Sequence, residues 1–398
     1  MPKPHVLIAG AGIGGLTAAL ALLKRGIDVD VYEQATELRE VGAGVQLSAN
    51  GTRVLYELGV GDAVASLAVE AEGKEIRHWN TGRTWKLFDL GAVSIERYGY
   101  PYFTVYRPDL LGALADAVRA IKPTAIHLES RVAGFTQTSE RVTLELENGR
   151  TVSGDLLIGA DGVHSRIRHA LFGDDRPEFT GLMAWRGIAP MTSLPAHLKR
   201  MVGTNWVGPG GHVVHYPLRR GEIMNFVGII EGRAWLTESW STRGTHEECA
   251  TDFAGWHADI HAMIRNLQTP FKWALMGRPP RERWTVGRVT LLGDAAHPML
   301  PLLAQGAVMS IEDGFILARA LAAYDDDAPA ALLRYESARR ERTKRTVLGS
   351  AENAKRFHNP TLSEPGAAEA YIDREWTEQR VAERYEWLFT YDVTKILV

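Results

Sequence analysis

One cysteine, Cys249, stands in 398 residues. A lone thiol excludes an intrachain disulfide and any multi-cysteine metal site. No metal site is expected from any other spacing. The scarcity fits a reducing cytoplasm, where the chain is expected. Nothing beside Cys249 in sequence would activate it, so it reads as a plain helical residue. A basic excess is missing too: 45 Lys and Arg face 48 Asp and Glu, a net charge of −3. That balance excludes the electrostatic footprint of a nucleic-acid or anionic-membrane binder. The basic stretch 334–345, with Arg339, Arg340, Arg342, Lys344 and Arg345, is broken by Glu336 and Glu341 and reads as a solvated helix face. No internal repeat is present, which excludes a solenoid or propeller. Residues 6–23 are uncharged and could pass for a signal peptide or membrane span. Their glycine pattern explains them better, and no later segment looks membrane-spanning. A soluble, unprocessed protein is the expectation.

What is present begins in that same run. Gly10-Ala11-Gly12-Ile13-Gly14-Gly15 follows an apolar strand at 5–9 and opens a helix at 16–24. A second strand, 29–32, ends on Glu33. Gly10 permits the tight turn, Gly12 lets the backbone approach a pyrophosphate, and Gly15 lets helix pack on strand. The helix N-terminus offers free N–H groups to phosphates. Glu33 stands where a carboxylate accepts the hydroxyls of an adenosine ribose. Only one such fingerprint occurs, since Gly208-Pro209-Gly210-Gly211 lacks a following helix. One dinucleotide is therefore expected to reside permanently, and any nicotinamide partner to visit without its own fold.

Periodicity organises the rest. The residues 76–106 alternate as a hairpin, with a turn at Asn80-Thr81-Gly82. Arg107-Pro108-Asp109-Leu110 opens a helix to about 121, and Asn148-Gly149 turns a second hairpin. Apolar strands at 155–159 and 289–292 have the pattern of buried parallel positions. Between them, 180–275 reads as strands followed by a helix at 245–257. A long helix is expected at 307–322, and amphipathic helix at 366–390 whose apolar stripe docks on the core. The fold class predicted is α/β: a Rossmann-like dinucleotide-binding domain with an inserted α+β substrate domain and C-terminal helices. The expected division is 1–75, 101–180 and 275–345 for the first, 76–100 and 181–274 for the second, and 346–398 for the C-terminal segment.

Two motifs follow the buried strands: Gly159-Ala160-Asp161-Gly162 with Val163-His164-Ser165-Arg166-Ile167-Arg168, and Gly293-Asp294-Ala295-Ala296-His297-Pro298. An aspartate at the carboxyl end of a parallel strand stands where such sheets bind ligands. In this order the three motifs resemble the single-component FAD-dependent aromatic hydroxylases of the para-hydroxybenzoate hydroxylase fold. The subgroup resembled is that of salicylate hydroxylase, 3-hydroxybenzoate 6-hydroxylase and 6-hydroxynicotinate 3-monooxygenase. The likeness covers nearly the whole chain, including Gly42-Ala43-Gly44-Val45-Gln46-Leu47, Ala304-Gln305-Gly306-Ala307 and Tyr385-Glu386-Trp387-Leu388-Phe389.

The resemblance implies non-covalent FAD and a transient NADH or NADPH. It places Gly10, Gly12, Gly14, Gly15, Glu33, Arg39, Gln46, Arg107, Asp161, Gly293, Asp294, Gly306 and Ala307 at the cofactor. Asp161 and Arg168 inherit a role toward both FAD and the visiting NAD(P)H, and His297 is expected to pack near the flavin. The reaction implied is hydroxylation of a phenolic acid with O₂, through a flavin C4a-hydroperoxide. His212 and Tyr216 lie four residues apart on one face of a strand. The resemblance casts His212 as the base taking the phenol proton and Tyr216 as a hydrogen-bonding partner of substrate. Leu47, Pro301 and Leu302 are expected to line an apolar substrate pocket, favouring a hydroxybenzoate or salicylate-like acid. A tailoring monooxygenase or epoxidase on another ring, and a flavin-binding protein without turnover, are the alternatives. Monomer and homodimer are both open.

Overall fold

The computed structural model describes residues 3–38, 44–174, 176–232, 242–324 and 327–398. Its first layer is a six-stranded sheet in the order Thr285–Val286, Val289–Leu291, Leu156–Gly159, His5–Ala9, Asp28–Tyr32, Ile126–His127. All neighbours are parallel except the first pair. The central strands are apolar on both faces because helices cover both faces. Two of those helices, Ile13–Leu23 and Gly306–Ala323, touch backbone to backbone. A Cβ at Gly314 would lie 2.7 Å from the Ala18 nitrogen, so only glycine fits that crossing. This is the Rossmann-like half of the expected α/β fold.

The second layer is an eight-stranded sheet. Its order is Thr242–Arg243, Phe271–Gly277, Glu178–Pro190, Ile223–Glu231, Gly211–Leu218, Val202–Gly208, Gly73–His78, Thr84–Asp89. One face carries Trp185, Trp206 and Phe226, packed under the helices His246–Asp252 and Ala258–Arg265 through Phe253 and Met263. The single helix expected at 245–257 is thus two. The first ends at Asp252, and the link to the second passes through Gly255 at φ +80°, a left-handed conformation that a continuing helix cannot hold. Cys249 lies buried in the first of them, and burial pushes its thiol pKa up, as for an inert cysteine. Gly208-Pro209-Gly210-Gly211 is the hairpin between two strands of this sheet, with no helix behind it.

The helices Pro365–Glu375 and Glu378–Phe389 dock their apolar stripe on the sheet edge, through Ile372, Tyr385 and Phe389 against Ile76, Leu87 and Tyr102. The expected division at 345/346 falls inside one continuous helix, Ala328–Phe357. That helix also corrects the reading of the basic stretch. Arg339 and Arg342 are buried, not solvated. Arg339 pairs with Glu312 and Asp313, both at 2.6 Å, and Arg342 pairs with Glu312 at 2.8 Å. No described helix is long and apolar enough to cross a membrane.

Candidate active site

A cavity runs between the carboxyl ends of the parallel strands and the open face of the eight-stranded sheet. Two helix N-termini meet at it. Gly12, Ile13 and Gly14 line it from one helix, and Gly306, Ala307 and Ser310 from the other. Neither N-cap, Gly12 nor Gln305, supplies a side-chain cap. Both ends therefore present backbone N–H groups and positive dipole to whatever enters. Gly10 adopts φ +103°, and a Cβ there would lie 2.4 Å from the Ala160 oxygen. A Cβ on Gly15 would lie 2.0 Å from the Gly10 oxygen. Gly12 meets nothing within 4 Å, so its bare Cα faces open cavity. Turn, packing and approach are divided among the three glycines as their spacing predicts. Glu33 accepts from the Ala11 N–H at 2.8 Å and the Ala35 N–H at 2.9 Å, which sets its carboxylate against the glycine loop. Arg39 lies outside the described residues.

Arg107, Gln46, Gly293 and Asp294 also line the cavity, and the Asp294 side chain is exposed to it. Asp161 does not. Its carboxylate accepts from Ser165 Oγ at 2.5 Å and from the N–H groups of Arg166 and Ile167. It is committed to the N-terminus of the helix Arg166–Phe172, which corrects its expected role as a ligand. Arg168 is likewise turned to protein, donating to the carbonyls of Ala295 and Val163 and so joining one motif to the other. His297 is not in the wall either. Its Nε2 lies 2.6 Å from Asp313 Oδ2, and the same carboxylate oxygen accepts from the Gly293 N–H. The Gly293 turn is thus held from behind by the ion cluster. Burial drives Glu312 and Asp313 upward in pKa. The Arg342 and Arg339 charges on Glu312, and His297 and Arg339 on Asp313, outweigh it, and both end below the ordinary carboxylate value.

At the sheet end, His212 and Tyr216 share the cavity wall, and His215 faces away from it. His212 is fully buried. Its Nδ1 lies 2.7 Å from His358 Nε2, and its Nε2 has no protein partner. Burial, aided by His358, holds its pKa well below 6.5. Burial also pushes the Tyr216 hydroxyl up, so it is a protonated donor. Gly44 is shaped to Tyr216: a Cβ there would lie 2.5 Å from the ring. Pro301 and Leu302 line the cavity as expected. Leu47 does not. It is packed in the core of the parallel-sheet layer, one residue beyond the lining stretch Gly44, Val45 and Gln46.

Sequence reasoning missed Lys74, Arg186, Asn205, Trp273 and Phe357, all in the wall, and His358 behind it. They come from strands and helix ends far apart in the chain. Alternation would have flagged Lys74. It shares a strand face with Ile76 and His78, both buried.

These residues fit FAD. Two uncapped helix N-termini and a glycine with open space above it suit a pyrophosphate and an anionic ring system. A cradle of this kind, opening directly into a walled chamber, belongs to flavoproteins that keep one dinucleotide in place. The chain belongs to the FAD binding domain family, whose model matches residues 3–350. It is 36% identical to 3-amino-4-hydroxybenzoate 2-monooxygenase PtnB3 of Streptomyces platensis, over 99% of this chain and 98% of that one. It is also 36% identical to 3-hydroxybenzoate 6-hydroxylase of Polaromonas naphthalenivorans strain CJ2, over 98% and 97% of the two chains. Among solved structures, Klebsiella pneumoniae HpxO complexed with FAD and uric acid matches with TM-score 0.81 and 28% identity, over 96% of each chain. The chain is a flavin-dependent aromatic monooxygenase, and FAD is its cofactor.

Proposed function

We propose that the chain hydroxylates the ring of a phenolic aromatic acid, of the hydroxybenzoate or salicylate kind, consuming NADH or NADPH and O₂. The observation that carries this reading is His212. It is a buried imidazole in the chamber wall, with one nitrogen engaged by His358 and the other left without a protein partner. In the tautomer with the proton on Nδ1, donated to His358, Nε2 is a neutral acceptor for a phenolic hydrogen. Removing that proton raises the electron density of the ring to be oxidised. Tyr216 donates to the substrate oxygen and holds the ring in register with His212. Leu302, Leu303, Phe357 and Trp273 keep water from the chamber. When bound, FAD supplies the redox chemistry, accepting hydride and activating O₂.

For the cofactor we assign Gly10, Gly12, Gly14 and Gly15 with Glu33 to the adenosine and pyrophosphate half. Arg107, Gly293 and Asp294 follow along the chain of the cofactor, and Gly306 and Ala307 aim N–H groups at its ring. Asp294→Ala is then expected to lower the flavin content of purified protein several-fold. The ratio of flavin absorbance to protein absorbance measures it, and a fully yellow variant would overturn the assignment. One buried cysteine supports a cytoplasmic setting.

The direct test is a panel of hydroxybenzoates, salicylate, an aminohydroxybenzoate and uric acid, scored for stimulated NAD(P)H oxidation with mass analysis of product. A phenolic acid gaining one oxygen is the expected result. Stimulation by uric acid alone would sink the phenolic-acid reading.

A further inference from the structure

Lys74 is a cation in the chamber wall with no answering anion among the described residues. It sits in the strand Gly73–His78, in the same wall as Leu87, Tyr385 and Tyr216. Its ammonium lies 5.0 Å from the centre of the Tyr102 ring. Among the described residues, no carboxylate lies within ion-pair distance of it. Its neighbours in the strand are satisfied elsewhere: Glu75 pairs with Arg77 and Arg200, and Arg77 also with Asp259. Arg186, a second cation in the wall, is stacked on Trp273 at 4.9 Å. Burial alone lowers the Lys74 pKa from 10.5 to about 7. Lys74 is half-buried at the cavity wall, and an ammonium drawn partly out of water without a counter-charge is costly unless an anion comes to it.

The register says what that anion is attached to. Lys74 stands opposite Gly203 on the neighbouring strand. The next residue there, Thr204, stands opposite His215, so Gly203 falls in the row of Tyr216. Lys74 and Tyr216 are therefore two strand spacings apart, about 10 Å between backbones. Between them stands a glycine with no side chain. The Lys74 stem reaches over it, 3.5 Å from where a Gly203 Cβ would be. Gln46 Oε1 borders the same space, 3.9 Å from that Cβ position. A ring held at Tyr216 and His212 would turn its opposite end toward the Lys74 and Gln46 side of the chamber.

We propose that Lys74 binds the carboxylate of the substrate and makes the enzyme select an anionic ring acid over its neutral amide. This rests on the phenolic-acid reading above. The test is calorimetric binding to the FAD-loaded enzyme, with 3-hydroxybenzoate and 3-hydroxybenzamide as probes. The wild-type protein is expected to bind the acid at least about 10-fold more tightly than the amide. Lys74→Met is expected to weaken the acid by about 10–100-fold, leaving the amide unchanged or tighter. Lys74→Arg keeps the acid within a few-fold. A Met variant with full flavin and the wild-type acid-to-amide ratio overturns the proposal. If the Met variant does not fold, a wild-type enzyme indifferent between acid and amide overturns it alone. Should wild type turn over 3-hydroxybenzoate while Lys74→Met is silent, only the Lys74 assignment fails. Should wild type bind neither probe nor turn over any acid of the panel, the substrate reading fails and takes this assignment with it.

Discussion

Replacing His212 with alanine is expected to cut the hydroxylation rate by about 10²–10⁴-fold while FAD stays bound. The magnitude is that of a positioned general base. The retention of flavin follows from position: His212 stands in the eight-stranded sheet, away from both helix N-termini of the cradle. Reduction by NAD(P)H should therefore persist, and oxygen consumption should yield peroxide in place of hydroxylated product. Steady-state rates with product and peroxide assays separate these outcomes. Kinetics and coupling equal to wild type would falsify the assignment of His212 as base. Its lowered pKa adds a sign that can be checked. A base held below 6.5 remains neutral through mild acid, so the acid limb it sets in the rate profile lies under that value. His358→Gln keeps a hydrogen-bonding group near Nδ1 and should cost less than His212→Ala.

The second large effect is on stability. Arg339→Ala is expected to destabilise the protein by about 3–5 kcal/mol, read from urea unfolding. Arg339, Glu312 and Asp313 are fully buried, and Arg342 nearly so. Two carboxylates face two guanidinium groups, so removing Arg339 leaves Arg342 against Glu312 and only the His297 imidazole against Asp313. Both carboxylates have depressed pKa values in the fold. Their contribution is complete above the unfolded carboxylate values and is lost as pH falls through the folded ones. The variant should therefore show a shallower loss of stability in acid than the wild type. Flavin affinity should fall with it, since Asp313 also holds the Gly293 N–H and His297. A change under about 1 kcal/mol would show that Arg342 alone balances the cluster.

The cofactor half was legible because backbone geometry dictates it locally. Gly10 and Gly15 sit where a tight turn and a close packing of helix on strand leave no room for a Cβ, Gly12 leaves the approach open, and all three fall within six positions. Asp161 was misread because the same residue type that binds a hydroxyl also caps a helix, and Ser165 four residues on marks the cap. Leu47 was misread because the lining stretch stops one residue earlier than the motif does. Arg339, Arg342 and Arg345 recur every third residue, the period of one helix face. The meaning of Arg339 and Arg342 lay about thirty residues upstream, in Glu312 and Asp313 on the buried face of a mostly apolar helix, while Arg345 lies over the Trp387 ring. The substrate end was least legible. Alternation with Ile76 and His78 marks the face of Lys74, but Phe357 in the wall and His358 behind it are placed by the end of a long helix, and one-dimensional spacing carries no trace of that.

The helix Ala328–Phe357 bears on how enzymes of this architecture can be recombined. Its thirty residues span about 45 Å. It holds the flavin-side ion cluster through Arg339 and delivers Phe357 and His358 to the far end of the chamber. A chimaera that exchanges only the stretch 178–277 would import a new His212 and leave its partner behind. Crossover points that respect the chamber must carry the end of this helix and Tyr385 together with the sheet. The unit of inheritance for substrate choice is thus split in sequence and joined only in space.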